Sequence, residues 1–153
     1  MDNVRGHSTA MAAKGLALDR RFLRSGDFRE EVAYSAAREL LQQSVRPTAP
    51  YVANCVMALC VMRAVADLGL RCPEDFSIAS TDNISGVRCL RPNLTRSEHP
   101  IAAVVNESVR LLMDRIRGND ASGRHIIVFP SALMLGEACA PFLARSPTAE
   151  TDA

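Results

Sequence analysis

The chain has 153 residues, 48% hydrophobic and 23% charged, and its 18 basic side chains nearly cancel its 17 acidic ones to leave a formal charge of +1. A disordered chain would be poorer in apolar residues and more lopsided in charge, and a membrane protein would need an apolar run of roughly 18 residues, which is absent. With no global field to hold a nucleic acid backbone or an anionic bilayer, the sequence reads as one globular domain or part of a larger one, and any DNA contact must come from sequence outside it.

Met1 to Ala13 lacks the basic start and apolar block of a secretory signal, which predicts a cytoplasmic location. Arg20 to Arg24 reads as a short strand broken by Ser25-Gly26-Asp27. Asp27 stands three residues before Glu30 in a capping-box arrangement, and Val32, Ala33, Ala36, Ala37, Leu40 and Leu41 then follow at the spacing of one helix face, to about Gln43. Tyr51-Val52-Ala53 reads as a second strand. Cys55 to Leu68 is helical and apolar on more than one side, so it must pack on its own sheet and on a partner, and Gly69 is a natural stop. Phe76 to Ala79 is the third strand, and Thr81 to Pro100 looks irregular. A helix from about Ile101 to Arg117 carries a stripe of Ile101, Val104, Val105, Ser108, Leu111, Leu112 and Ile116. Residues 124 to 129 make the last strand, and the polar tail from Ser146 is expected to be disordered.

Strand-like runs alternating with helical ones predict an α/β fold around a parallel sheet. Its five cysteines, Cys55, Cys60, Cys72, Cys89 and Cys139, have no metal-knuckle spacing. Even Cys55 and Cys60 would point about 140° apart on a helix, so all five read as small apolar residues in a reducing compartment, with no metal and no cofactor. No Gly-x-Ser-x-Gly elbow, phosphate loop or Cys/His pairing is present, and the chain does not read as an enzyme.

In open parallel sheets, ligands sit at the carboxyl ends of the strands. The residues just past the predicted strands are Asp27-Phe28, Asn54 and Asp82-Asn83. A ring, an amide and a carboxylate there would suit a small polar molecule, although Asn54 alone would also serve as a helix cap, Asp82 as a turn residue and Phe28 as core.

Arg46-Pro47-Thr48-Ala49, Ala53-Asn54, Met57-Ala58-Leu59, Leu68-Gly69-Leu70, Pro73 to Ile78, Asp82-Asn83, Pro92 and Leu94-Thr95 form an ordered series without insertions. From about Arg5 to Ala140 the series resembles the effector-binding region of the LacI/GalR family of bacterial transcriptional repressors. The resemblance implies a periplasmic-binding-protein-like type I lobe, incomplete and mostly the C-terminal one, over residues 1–145. Leu94 to Arg117 and a neighbouring segment would cross into the N-terminal lobe, and the DNA-binding domain would be missing. It implies a small effector, a sugar or a nucleobase, held by Phe28 as stacking ring, Asn54 as amide, Asp82 as carboxylate and His99 near the lobe crossover. It also implies a homodimer through the 55–68 helix and the 87–90 segment, with Leu59 and Leu90 in contact.

Where the family carries its effector-binding arginine this chain has Asn3, with Arg5 as the nearby substitute. Further departures are Cys55 for an aspartate, Cys60 and Ser80 for glycines, Arg96 for a threonine and Gly136 for an arginine. A truncated, non-functional remnant and a periplasmic-type sugar-binding protein are the alternatives, the latter needing a signal peptide.

Overall fold

The computed structural model describes residues 2–84, 86–119 and 123–141. Four helices, α1 (Asp2–Ala12), α2 (Glu30–Leu41), α3 (Cys55–Asp67) and α4 (Ile101–Ile116), accompany four strands, β1 (Tyr51–Val52), β2 (Ala79–Thr81), β3 (Thr95–Glu98) and β4 (Ala132–Met134). The strands form one sheet in the order β1-β2-β3-β4. The first three are parallel, in the register Tyr51–Ala79 and Ser80–Arg96, and β4 returns antiparallel with Ser97 opposite Leu133. No helix among the described residues is long and apolar enough to cross a membrane.

The expected α/β class with a parallel sheet is what forms. Helix α2 buries Ala33, Ala37 and Leu41 against α3, which buries Cys55, Met57, Ala58, Ala64 and Val65. Small residues on both helices let the backbones approach closely. Val52, Phe76, Ile78, Val87, Leu94 and Ala138 complete the core. Gly69 ends the α3 segment with φ +67°, where a glycine carries no Cβ penalty.

Several elements differ from the sequence reading. Arg20–Phe22 is a 3-10 turn, not a strand, because Asp19 caps it through the Arg21 amide and ion-pairs with the Arg21 guanidinium at 2.7 Å. Asp27 does not cap α2; the residue before the helix is Arg29, and Ser25 turns its hydroxyl to Asp27. Phe76 to Ile78 is extended but joins other chain segments: Ser77 N–H donates to Thr48 O at 3.0 Å and Ile78 N–H to Ala138 O at 2.7 Å, so the ladder begins only at Ala79.

The stretch expected to be irregular holds β3, whose sequence Thr-Arg-Ser-Glu has no apolar alternation to announce it. Its inward residue is an arginine: Arg96 is 2% exposed and ion-pairs with Glu98 at 3.0 Å. The strand expected at 124–129 does not form, since an apolar run becomes a strand only with a sheet edge to join, and the chain pairs with β3 later, at Ala132–Met134. The 146–153 tail lies outside the described residues.

Helix α4 forms as expected, but no residue of it is buried. Ile101, Val105, Val109, Leu112 and Ile116 are exposed, as are Ile126 and Val128 beyond the helix. A contiguous apolar surface of this kind marks a face that another piece of protein covers. Leu112→Lys is therefore expected to lower fluorescence of a bound apolar dye and self-association of the chain, with stability kept within about 0.5 kcal/mol; dye titration with urea unfolding checks this.

Burial pushes the Cys72 thiol up to about 11, with neighbouring Cys139 and Glu74 adding to the effect. Because the thiolate is the reactive form, Cys72 should be alkylated at pH 8 about a hundredfold more slowly than an unperturbed thiol and gain about tenfold per pH unit until its titration. Peptide mapping after timed iodoacetamide labelling, with exposed Cys89 as internal reference, measures the ratio.

Candidate functional site

Strands β1, β2 and β3 run in parallel, so their carboxyl ends lie along one edge of the sheet, and the residues just past them are the natural ligand contacts. Past β1 stands Asn54, past β2 Asp82, past β3 His99. This row is the candidate site.

Each residue is held by its local backbone. Asn54 precedes α3 in extended conformation and its Oδ1 accepts from the Met57 amide at 2.8 Å, so the side chain caps the helix and keeps its NH2 donors for other partners. Asp82 has φ +77°, a left-handed conformation that Asp and Asn adopt more readily than other non-glycine residues, and its own amide donates to Ser97 O at 2.9 Å. The buried Cys55 thiol donates to Asp82 O at 3.0 Å, and burial raises that thiol's pKa.

His99 Nε2 lies 3.5 Å from Asp82 Oδ1, both side chains being part-exposed. Its other nitrogen, Nδ1, is 2.7 Å from Ser131 Oγ. The β3–β4 register explains this contact: Glu98 faces Ala132, so the next pair along the antiparallel ladder is His99 and Ser131. Thus Asp82, His99 and Ser131, from three neighbouring strands, form one polar line. Asn83 beside it donates to Glu98 Oε1 at 3.0 Å, tying the loop after β2 to β3.

Phe28 is not past a strand end, because no strand precedes it. It sits in the turn before α2 at φ +54° and is 73% exposed, a ring without cover on the described residues. Arg5 lies exposed on α1. That helix meets the opposite edge strand, where the His7 ring stacks on Tyr51 with centroids 6.0 Å apart. Asn3 lines an apolar cavity with Val4, His7, Phe22 and Met57. The structure therefore brings Asp82 and His99 together and sets Asn54 in the same row, while Arg5 is on α1, the helix that meets β1 at Tyr51, and Phe28 stands exposed in the turn before α2.

Sequence reasoning missed Ser131, Tyr51 and Thr81. The Tyr51 and Thr81 hydroxyls bond each other across β1 and β2, just short of Asp82. The alternation of side chains along a strand was a usable signal for Thr81, two residues from Ala79 on the same face. Ser131 carried none, since its place depends on where β4 pairs. No cluster of three or more His, Cys, Asp or Glu that could hold a metal ion is found among the described residues.

Both candidate dimer residues are part-exposed: Leu59 beside Val56 and Cys60 on α3, facing a groove shared with Tyr34 of α2, and Leu90 after a 3-10 turn at Val87–Cys89. Gly136 is set by packing. A Cβ there would lie 2.4 Å from Asn93 O, and the Gly136 amide donates to Thr95 Oγ1 at 3.0 Å.

Comparison with known proteins matches residues 4–139 to the family model of a periplasmic binding protein-like domain. The HTH-type transcriptional repressor PurR of Erwinia tasmaniensis is 31% identical over 128 residues, which cover 84% of this chain and 38% of that protein. The same repressor of Proteus mirabilis is 33% identical over 83% of this chain and 37% of its own length. Among solved structures, the transcriptional regulator CelR in complex with cellobiose superposes with TM-score 0.81 at 29% identity, over 88% of this chain and 41% of that one. A LacI family regulator from Enterococcus faecium with bound ribose gives TM-score 0.68 at 28% identity, over 76% and 42%. The chain thus spans about two fifths of the length of the curated relatives it matches.

Proposed function

This chain belongs to the periplasmic binding protein-like domain family, in its LacI/GalR regulator branch, and from that premise we propose that it is the effector-sensing part of a bacterial transcriptional regulator. It binds a small polar molecule without covalent chemistry, it is not an enzyme, and it acts in the cytoplasm. DNA contact belongs to a separate N-terminal domain. The observation that carries this reading is the row of Asn54, Asp82 and His99 at the carboxyl ends of three neighbouring parallel strands. An amide, a carboxylate and an imidazole supply donors and acceptors on one edge, which is what a small hydroxylated or amine-bearing ligand needs.

The uncovered apolar face of α4 and Ile126 to Val128 fits the same reading. In a regulator of full family length the remaining protein would include a second lobe over this face, closing the ligand cleft from the other side. Phe28, exposed in the turn before α2, would be drawn to the ligand on closure, when a ligand that binds the closed form better shifts the population toward it. Binding coupled to closure is how a sensor would pass its signal to DNA-binding elements.

Thermal melts in the presence of millimolar D-ribose, cellobiose, other sugars and nucleobases test the reading. A ligand at a hundred times its Kd stabilises the folded state by about 2.7 kcal/mol. A raised melting temperature with one chemical class supports the sensor, and a flat response across the panel sinks it. The remnant alternative expects a broad, non-cooperative melt.

For dimerisation, the α3 face is the proposed surface, continuing through Leu90. Leu59→Glu places a charge on that face and is expected to shift the sedimenting species from dimer to monomer at micromolar concentration, with helix content unchanged. Unaltered sedimentation would move the interface elsewhere.

A further inference from the structure

Two of the five free cysteines, distant in sequence, meet where the chain has returned from α4 past β4. Ala138 is held between two other segments: its amide donates to Asn93 O at 2.9 Å, and its carbonyl accepts from the Ile78 amide at 2.7 Å. Cys72, in the loop after α3, lies against that same carbonyl, with Sγ 3.6 Å from Ala138 O. The next residue is Cys139, whose thiol donates to Ile78 O at 3.3 Å. Across a trans peptide a carbonyl oxygen lies about 2.8 Å from the following Cα, so Cys72 Sγ is within about 6.5 Å of the Cys139 Cα. Rotation of the two side chains about χ1 can bring the sulfurs together from that range. Little holds them apart, because a thiol is a weak donor and both sulfur bonds are easily given up. The two differ in access. Cys139 is exposed, whereas Cys72 is part-buried, and burial keeps the proton on its sulfur, the more so when Cys139 is a thiolate. An oxidant therefore reaches Cys139 first, with Cys72 behind it as the resolving thiol.

We propose that Cys72 and Cys139 form a reversible disulfide when the protein meets a peroxide, stapling the segment that returns from α4 to the loop after α3. The Cys139 thiolate attacks one peroxide oxygen, the O–O bond breaks, the departing hydroxide takes up a proton as water, and a sulfenic acid is left on Cys139. The Cys72 sulfur then attacks the sulfenic sulfur. The S–O bond breaks, and the Cys72 proton leaves with the oxygen as a second water. The two thiols lose two electrons in all, and one peroxide is reduced to two waters. In a cytoplasmic protein such a bridge is transient and redox-sensing, so the free thiols of the resting chain fit this use. The other cysteines are placed differently: the Cys55 and Cys60 thiols turn to Asp82 O and Val56 O, and Cys89 is exposed after its 3-10 turn.

The 153-residue protein is treated at pH 7 with millimolar hydrogen peroxide, quenched with iodoacetamide and digested with trypsin without reduction. Cleavage after arginine puts Cys72 in peptide 72–88, Cys89 in 89–96 and Cys139 in 125–145. The expected product is peptide 72–88 joined to 125–145 in most molecules, released by dithiothreitol. In protein unfolded in urea before oxidation, Cys72 and Cys89 close a much shorter loop, so the Cys72–Cys139 share should fall several-fold. Equal shares from folded and unfolded protein overturn the proposal. So does Cys139 carried to sulfinic acid with Cys72 still free, or Cys139 joined to Cys89 instead. A second measurement reads the staple itself. A cross-link constrains the unfolded chain, so the peroxide-treated wild type should unfold at higher urea than the reduced protein, and peroxide should leave the midpoint of Cys139→Ser where it was. A bridge that forms without raising the midpoint, or an equal rise in Cys139→Ser, overturns the stapling role.

Discussion

Glu98→Ala is expected to lower the stability of the protein by about 3 kcal/mol, because removing one partner of a buried ion pair strands the other. Arg96 is 2% exposed, its Nη2 bonds Glu98 Oε2 at 3.0 Å, and its Nη1 reaches only Leu94 O at 3.4 Å. Its Nε has no hydrogen-bond partner, so the guanidinium is already under-satisfied and has little to fall back on. Glu98 also receives Asn83 Nδ2 and stands 4.0 Å from Arg88, so its loss would release the loop after β2 as well. Urea unfolding followed by circular dichroism measures the loss. The double variant Arg96→Met with Glu98→Ala, which removes the stranded charge and keeps an apolar chain of similar length, should recover at least half of it. A single-variant loss below about 1 kcal/mol would mean that the arginine reaches water once its partner is gone.

Asp82→Asn is expected to reduce effector affinity by more than about tenfold while unfolding stays within about 0.5 kcal/mol of the wild type. Asparagine suits this test because it tolerates the left-handed backbone at φ +77°, where alanine would add strain of its own. The substitution exchanges a carboxylate oxygen for an amide, so it removes one acceptor and the negative charge together. Asp82 is about half exposed and contributes little to the core, which is why the fold should not depend on it. Calorimetry with the sugar that raises the melting temperature reads the affinity. Undiminished binding would take Asp82 out of the site, and a large loss of unfolding cooperativity would make it a structural residue.

Helices were more legible in the sequence than strands, and the reason lies in what each needs. Helices α2, α3 and α4 carry their periodicity locally, and all three form within a few residues of the expected limits. A strand depends on a neighbour. Thr95 to Glu98 has no apolar alternation and still pairs on both sides, because its inward arginine is neutralised by Glu98. Ile126 to Phe129 is an unbroken apolar run and yet forms no strand. The site divides in the same way. Asp82 and Asn54 follow strands that the sequence located, so their place on one edge could be foreseen. Phe28 could not be placed, because the strand expected before it is a 3-10 turn pinned by Asp19 and Arg21. Helix α1 gave no signal at all: Asp2–Ala12 contains a glycine and three hydroxyl or amide residues and buries no apolar stripe.

The chain leaves the sheet along β3 and comes back along β4, and these two strands are hydrogen-bonded neighbours in antiparallel register. Helix α4 is therefore carried between two strands of which β3 is also bonded to β2 and only β4 is an edge. Sliding one strand past the other would have to jump whole residues and turn every side chain to the wrong face. Twisting the pair out of the sheet is opposed by the β2–β3 pairing at Ala79–Thr95, Ser80–Arg96 and Thr81–Ser97. The outgoing strand is thus clamped from both sides and the returning strand from one, and the His99–Ser131 contact fastens the two where they part.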